Sequence, residues 1–531
     1  MLNPAPRRPG RVCLNEDNNH FFCSHPESDM TDEGADRLVD AYARSKSLGA
    51  LFFNPNVKRA HFPSRTWEAI HHGYDPDGPT DQPSLRWLPP ERRDFSPGSA
   101  RWWPHNIWRL EQRGVDLYGR WLARSRHHGI EGWLSVRMND WHANDILDAY
   151  WHPDFWREHP EYWRRPYRYE WWTDRQYDYA QEAVRNHHLA FIGELFERFD
   201  CDGVELDWCR NPHGFRPGSE QAGLALLTDF MQTVRRMADA AAARTGHPVR
   251  VGIRVPEDPQ TCRRMGFDVV AWIRRKLVDH VVASVFVNAL SMDPPIESWL
   301  DETRPAGIPL GLAFMTGTFT PFHSAPGRKG CMPVTREMVR GAALAAYHRG
   351  VDRVYLFNYC YWEGGKADRT SELLDWMDEL GDPARLAQLP RRHPIGYREV
   401  VAPGEPEASL LPQSFLNGPG AASRYGHGTA TFCPVIGPAP ANGQTATVIL
   451  GFARDVEPPA NPPDLEVRVN GIVCPPANDS GFPREFPELV DKRGVFSIPT
   501  GVLHNGRNAV ECFSESRRGV IVWAEIAITG K

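Results

Sequence analysis

A chain of 531 residues with 41% hydrophobic and 24% charged side chains exceeds the size of one core and has the balance of a soluble globular protein with two or three domains. A formal charge of only -6 excludes a broad basic surface, so no nucleic acid is expected as a partner. The opening MLNPAPRRPG has no apolar run behind its arginines, and the ten cysteines stand singly without a CxxC pair, so the expectation is a cytoplasmic protein with reduced thiols and no membrane partner.

In chain order, one unit repeats. Residues 11–17 read as a strand, 32–48 as a helix and 50–54 as a second strand. A Pro-, Gly- and Trp-rich excursion over about 55–108 follows, too long for an ordinary connection and suited to an active-site or assembly loop. A helix at 110–128 leads to a strand at 132–138, a second aromatic excursion fills 139–173, and a helix at 176–199 precedes the stretch Cys201-Asp-Gly-Val-Glu-Leu-Asp-Trp-Cys-Arg210. Period-two alternation there puts Val204, Leu206 and Trp208 on one face and Gly203, Glu205 and Asp207 on the other.

Later units pair helices at 224–244, near 262–276, near 296–302 and at 335–349 with strands at 249–255, 280–287, 309–315 and 353–359, and a last helix covers 369–380. Eight strands alternating with helices count out an α/β chain built on a (β/α)8 TIM barrel over 1–390, with insertions at 55–108 and 139–173. No GxGxxG opens the first unit, which argues against a dinucleotide fold. Residues 391–430 read as a linking or wrapping segment. Short β runs with Asn-Gly turns then predict a small all-β sandwich over 431–531.

Barrel sites lie at the carboxyl ends of the strands. Parity sends Ser135, Arg137 and Asn139 inward from strand three, Arg250, Gly252 and Arg254 from strand five, and Ser284, Phe286 and Asn288 from strand six, to converge with Glu205 and Asp207. The loops add Glu16, Asp17, Asp140, His142, Glu257, Asp258, Asp293, Asn358, Tyr361 and Glu363. Glycosidic cleavage needs two carboxyl groups about 5 to 9.5 Å apart, and alternate residues of a strand are separated by about 6.6 Å. Asp207, nearer the mouth, is the expected direct participant, Glu205 its buried support, and Glu257 the preferred acid. Arg137 and Arg254 are expected to neutralise Glu205 or to hold substrate. Arg137, Asn139, Asp140, His142, Trp208, Arg254, Asn288, Asn358, Tyr361 and Trp362 are the expected substrate contacts, and loop tryptophans offer faces on which sugar rings stack.

The segment Asp202-Gly-Val-Glu-Leu-Asp-Trp208 resembles the fourth strand of barrel glycoside hydrolases, above all the glycosyl-hydrolase-like family 10 group, and more distantly the chitinase pattern DGxDxDxE. Cys209 stands where the chitinase pattern has its donor acid, and strand seven ends Leu312-Ala-Phe-Met-Thr316, without the nucleophilic glutamate of xylanase-type enzymes. The resemblance implies a retaining hydrolase of oligosaccharides or glycosides with Asp207 as nucleophile, as in several barrel glycosidases that cleave α-linked sugars.

No HExxH or phosphate loop occurs, and adjacent histidines such as His127-His128 do not share a helix face, so neither metal nor cofactor is expected. Two other readings stand beside hydrolysis: a lyase or isomerase of a carbohydrate acid, with Arg137 and Arg254 clamping its carboxylate, and a noncatalytic sugar-binding or scaffold protein. The aromatic excursion at 55–108 needs cover from the barrel, the β domain or a neighbour, and a homo-oligomer is expected.

Overall fold

Eight runs of residues, buried along almost their whole length, form parallel strands that close on themselves. They are β1 (Val12–Glu16), β2 (Leu48–Phe53), β3 (Glu131–Arg137), β4 (Gly203–Asp207), β5 (Arg250–Pro256), β6 (His280–Ser284), β7 (Leu310–Met315) and β8 (Arg353–Phe357), each paired with its sequence neighbours and β8 with β1. The computed structural model describes residues 5–17, 19–168, 170, 173–285, 290–315, 318–319, 331–359, 370–396, 428–453, 465–478, 486–514 and 521–530.

Two apolar layers keep the barrel closed, and strand parity assigns each side chain to one of them. Leu134, Val136, Val204, Leu206, Val251 and Ile253 point outward into the core shared with the helices. Phe52, Trp133, Val282, Tyr355 and Phe357 fill the interior, so the barrel is a packed body rather than a pore. Gly203 makes room for that packing: a Cβ there would lie 2.3 Å from Trp133 Cζ3 and 2.8 Å from the Arg250 carbonyl oxygen.

Glycines break two of the expected helices. The run at 110–128 is a pair, Trp102–Gln112 and Leu117–His127, separated at Gly114 with φ 67° and restarted where Asp116 accepts the Gly119 amide. The run near 262–276 is likewise Pro259–Arg264 and Val269–Arg274, with Gly266 at φ 94° between them and Asp258 and Asp268 as N-caps. A left-handed glycine followed by a capping aspartate ends one helix and begins the next.

The 55–108 excursion has its own small core of Tyr74, Leu85, Leu88 and Ala100, with Trp87 and Trp108 against it. Trp67 stacks on Phe191, with ring centroids 4.2 Å apart, and on His187 at 4.7 Å. Trp67 and Trp103 are thus covered within the chain, while Trp87, Trp102 and Trp108 are half-buried and Phe95 is 40% exposed.

Beyond the barrel stand two four-stranded antiparallel sheets. One runs Arg391–Pro394, Ile521–Ile528, Ala446–Ala453, Val490–Ile498, and the other Gly428–Phe432, Val510–Ser514, Leu465–Val469, Ile472–Cys474. Val448, Phe496 and Ile526 of the first share one apolar core with Val467 and Cys512 of the second, as a β-sandwich requires. Arg391–Pro394 and the first three residues of Gly428–Phe432 lie in the segment read as a link, yet both are strands of these sheets. Arg392 joins Glu525 through two bonds of 2.9 and 3.0 Å, next to Trp523, which belongs to the barrel's outer core. The ion pair joins two strands of one sheet, and Trp523 carries the contact with the barrel.

Gly203→Ala should lower stability by at least about 1 to 3 kcal/mol through overpacking, read as a fall in the urea midpoint. Gly193→Ala, on the helix Glu182–Arg198 where the nearest atom to an added Cβ is 3.7 Å away, should be neutral or stabilising by about 0.4 to 1 kcal/mol.

Candidate active site

Strand register sets the site out in layers. Arg137, Asp207 and Arg254 stand abreast on β3, β4 and β5, and one step deeper Ser135, Glu205 and Gly252 do the same. The outer layer therefore joins a carboxylate to the cations beside it, while the inner layer offers Glu205 only a hydroxyl and a glycine.

Asp207 accepts from Arg254 twice, Nε to Oδ1 and Nη2 to Oδ2, each at 2.9 Å. The Arg210 amide also donates to Oδ1 at 2.9 Å, closing the turn Trp208–Arg210 that ends the strand. Arg254 gives its remaining Nη1 to Ser284 Oγ at 2.8 Å and lies 3.8 Å from the centroid of the Phe357 ring. Both members of this ion pair are buried, so each is the other's replacement for water.

Arg137 serves a second group of acids. Its Nη1 bonds Asp140 Oδ2 at 3.1 Å and its Nη2 bonds Asp17. Asp140 Oδ1 takes the His142 amide at 2.9 Å and lies 2.7 Å from His142 Nδ1. Burial alone would raise the Asp140 carboxyl, but His142, Arg137 and Arg210 together hold it well below the ordinary range. The expectation that Arg137 and Arg254 neutralise Glu205 is corrected here: register sets Arg254 beside Asp207, and Arg137 is drawn to Asp17 and Asp140.

Glu205 is buried with a different set of partners. Its Oε1 accepts from Ser135 Oγ at 2.7 Å and Tyr355 hydroxyl at 2.9 Å, and Oε2 has no hydrogen-bond partner among the described residues. Burial first, and the Asp207 charge second, push its carboxyl up to about 7 against the pull of Ser135, Arg254 and Tyr355. A carboxyl kept protonated near neutrality can hold or give a proton where its ionised neighbour cannot.

The other expected residues divide. His142 lies at the mouth with its side chain 32% exposed, and Asn358 leaves β8 at φ 56° and is half-buried. Glu257 follows β5 directly, fully buried, and its backbone carbonyl accepts from Trp299 Nε1 at 2.6 Å. Asn139 is buried and structural in its contacts, donating to the carbonyls of Tyr177 and His213 and so tying two loops together. Trp208 is not at the mouth: it keeps the outward parity of Val204 and Leu206 and packs among Tyr179, Phe230 and Phe267. Asp293 bonds Arg349 and, across the domain junction, Arg507. Asn288, Tyr361, Trp362 and Glu363 lie outside the described residues.

Three contributors escaped the sequence reading. Arg210 places Nη2 3.0 Å from His142 Nε2 and Nε 3.5 Å from Asp140; its position three residues after Asp207 was the available signal. Tyr355 was legible as inward by its parity with Phe357. Lys58, buried in the first excursion, donates to the His142 carbonyl and lies 3.1 Å from His152 Nδ1, and burial draws its ammonium down to about 7. Among the described residues no group of three or more His, Cys, Asp and Glu is arranged to hold a metal ion.

No family model and no curated protein matches the chain. Solved structures similar to it include an enzyme targeting pectin rhamnogalacturonan II (10% identity, 72% of this chain and 39% of that one, TM-score 0.37). Others are the PgaB glycoside hydrolase domain from Bordetella bronchiseptica (10% identity, 70% and 99%, TM-score 0.39) and a chitinase from Bacillus thuringiensis (10% identity, 96% and 100%, TM-score 0.36). The chain thus spans well under half of the first of these proteins and nearly all of the other two.

Because the fold raises the Glu205 carboxyl from 4.5 to about 7, the folded protein holds a proton that the unfolded chain releases between those values. The stabilisation is complete below the ordinary carboxyl range and is lost as pH rises through about 7, a loss on the order of 3 kcal/mol at about 1.36 kcal/mol per pH unit. Glu205→Gln mimics the protonated form, so urea unfolding at about pH 5.5 and about pH 8.5 should show the variant gaining on the wild type at the higher pH. Equal pH dependence in both proteins would mean that Glu205 is ionised in the fold.

Proposed function

We propose that this chain is a glycoside hydrolase that cleaves a glycosidic bond in an oligosaccharide or glycoside, retains anomeric configuration, and uses Asp207 as its nucleophile. The observation that carries the reading is the carboxylate at the end of β4, held in one orientation by Arg254. Each carboxylate oxygen has two lone pairs. Oδ1 spends both on Arg254 Nε and the Arg210 amide, whereas Oδ2 receives only Arg254 Nη2 from the described residues. Oδ2 is therefore the atom that attacks the anomeric carbon, and the ion pair holds it at a fixed angle. Asp207 is buried in this structure, so substrate entry requires groups at the mouth to move.

Glu257 supplies the leaving-group proton in this reading, and Glu205 sits beneath Asp207 with its carboxyl raised to about 7, which lessens the second negative charge there. Trp141 and Trp151, both half-buried beside His142, offer ring faces to a sugar. The lyase alternative has less support, because the arginines it needs are committed to Asp17, Asp140 and Asp207.

A 2-fluoro glycoside with an activated leaving group should trap an ester on Asp207, found by peptide mass spectrometry, and proton NMR should show the retained anomer first. Inversion, or a label on another residue, would sink the assignment. Asp207→Asn should reduce turnover at least about a thousandfold and also lower stability by about 3 to 5 kcal/mol, because Arg254 loses its ionised partner. Activity of that variant is therefore to be measured well below its melting temperature. Glu257→Gln should be mild on an aryl glycoside whose leaving group needs no proton and severe on a natural one.

A further inference from the structure

The loops that follow β1, β2, β3 and β4 are joined, seam by seam, into one wall along the barrel mouth. Between the first and second, Asn106 Nδ2 donates to the Phe22 carbonyl at 2.7 Å and Arg113 Nη1 to the Met30 carbonyl at 2.9 Å. Between the second and third, Lys58 Nζ donates to the His142 carbonyl at 3.1 Å, and Trp151 meets the Trp87 and Trp103 rings edge-on with centroids 4.7 and 5.3 Å apart. Between the third and fourth, Asn139 Nδ2 donates to the His213 carbonyl at 3.1 Å and Arg164 Nε to the Phe215 carbonyl at 2.6 Å. Lys58, Trp103, Asn106, Asn139 and Arg164 are all buried, so a sugar could pass between these loops only by breaking bonds that water does not replace.

The wall begins at the site itself. Asn56 exchanges two bonds with the Arg137 backbone, at 3.0 and 3.1 Å, and Trp151 stands edge-on to His142. Arg137 is the register partner of Asp207 on the neighbouring strand. From the proposed nucleophile to the foot of the wall is therefore one strand spacing, about 4.8 Å, which suits one sugar ring and not a chain of them.

Topology turns the wall into a constraint on the substrate. The four strands are consecutive in the closed order, and in a ring of eight each strand lies opposite the one four places on. A polymer threaded across the mouth would enter over one loop and leave over the opposite one, and every such pair includes a loop of the wall. A sugar chain thus has one side, that of β5 to β8, by which to leave. Glu257 directly follows β5 and stands on that side, where the proposed leaving group goes.

Resting on the glycosidase reading, we infer that the chain is an exo-acting hydrolase, which holds one terminal sugar against this wall and removes it from the non-reducing end of an oligosaccharide. The glycosidic bond of that sugar breaks as its anomeric carbon bonds to Asp207 Oδ2, and the released oxygen, with the rest of the chain over β5 to β8, takes the Glu257 proton. Water then cleaves the ester at the same position, and its proton restores Glu257.

The order of products gives the test. Aryl monoglycosides first identify the sugar that the wild type hydrolyses. On the aryl glycoside of a disaccharide of that sugar, free monosaccharide should appear at once and aryl alcohol only after a lag, because the aryl monoglycoside must form before it is cut. A tetrasaccharide with a fluorescent tag at its reducing end should shorten by one sugar at a time in chromatography, and a benzylidene acetal on its non-reducing terminal sugar should abolish cleavage. Immediate release of aryl alcohol with intact disaccharide, tagged products of mixed length from the start, or cutting of the capped chain would overturn exo action, while turnover of the aryl monoglycoside leaves the hydrolase standing. A wild type that turns over no glycoside in a broad aryl panel would overturn both readings.

Discussion

The buried pair Asp207–Arg254 is the constraint on which the rest of the site depends. Two full charges leave water together, which is tolerable only with near-ideal geometry and satisfied remaining donors. Here the geometry is a two-bond fork, and the extra donors are absorbed by Ser284 and by the face of Phe357. Because the carboxylate is also the cap of the turn Trp208–Arg210, the same bonds decide where β4 stops and where Arg210 goes. Arg210 then reaches His142 and Asp140, so strand end, turn and rim are set by one pair of side chains.

Two carboxyls, Glu205 on β4 and Asp140 in the loop after β3, show how far local partners can separate like groups. Glu205 faces Ser135 and Tyr355 and is pushed up to about 7, whereas Asp140 faces Arg137, Arg210 and His142 and is held well below the ordinary range. Both are enclosed. Burial acts upward on each, and what differs is whether cations stand within reach to oppose it. For Glu205 the want of an ion-pair partner traces to register, since Gly252 lies beside it and Arg254 beside Asp207.

Much of this was readable from the chain. The alternation over 203–208 assigned Val204, Leu206 and Trp208 to the outer face and Glu205 and Asp207 to the inner one, as observed, although Trp208 was also expected to touch substrate. The eight strand segments were legible because each is an apolar run set between helical periods. What could not be read was pairing across strands. Whether Arg137 and Arg254 meet Glu205 or Asp207 depends on the offset between β3, β4 and β5, and no single strand's composition encodes that offset. Helix breaks at Gly114 and Gly266 were missed because one glycine inside a long periodic stretch is often tolerated. Arg391–Pro394 escaped because a short run of two arginines, a histidine and a proline carries no apolar alternation. It is a strand only because Glu525 and the neighbouring sheet receive it.

The rim differs from the floor in what holds it. Below, strand ladders fix Glu205 and Asp207 with backbone bonds on both sides. Above, loops are held by side chains: Asn139 binds the carbonyls of Tyr177 and His213, Gln176 returns a bond to the Asn139 carbonyl at 2.9 Å, and Lys58 braces the His142 loop against His152. These bonds are buried, so each replaces water that the loop backbone would otherwise need. In a rim built this way buried side chains take the place of a strand ladder, and the Arg210 guanidinium belongs to it through His142, Asp140 and the Phe357 ring.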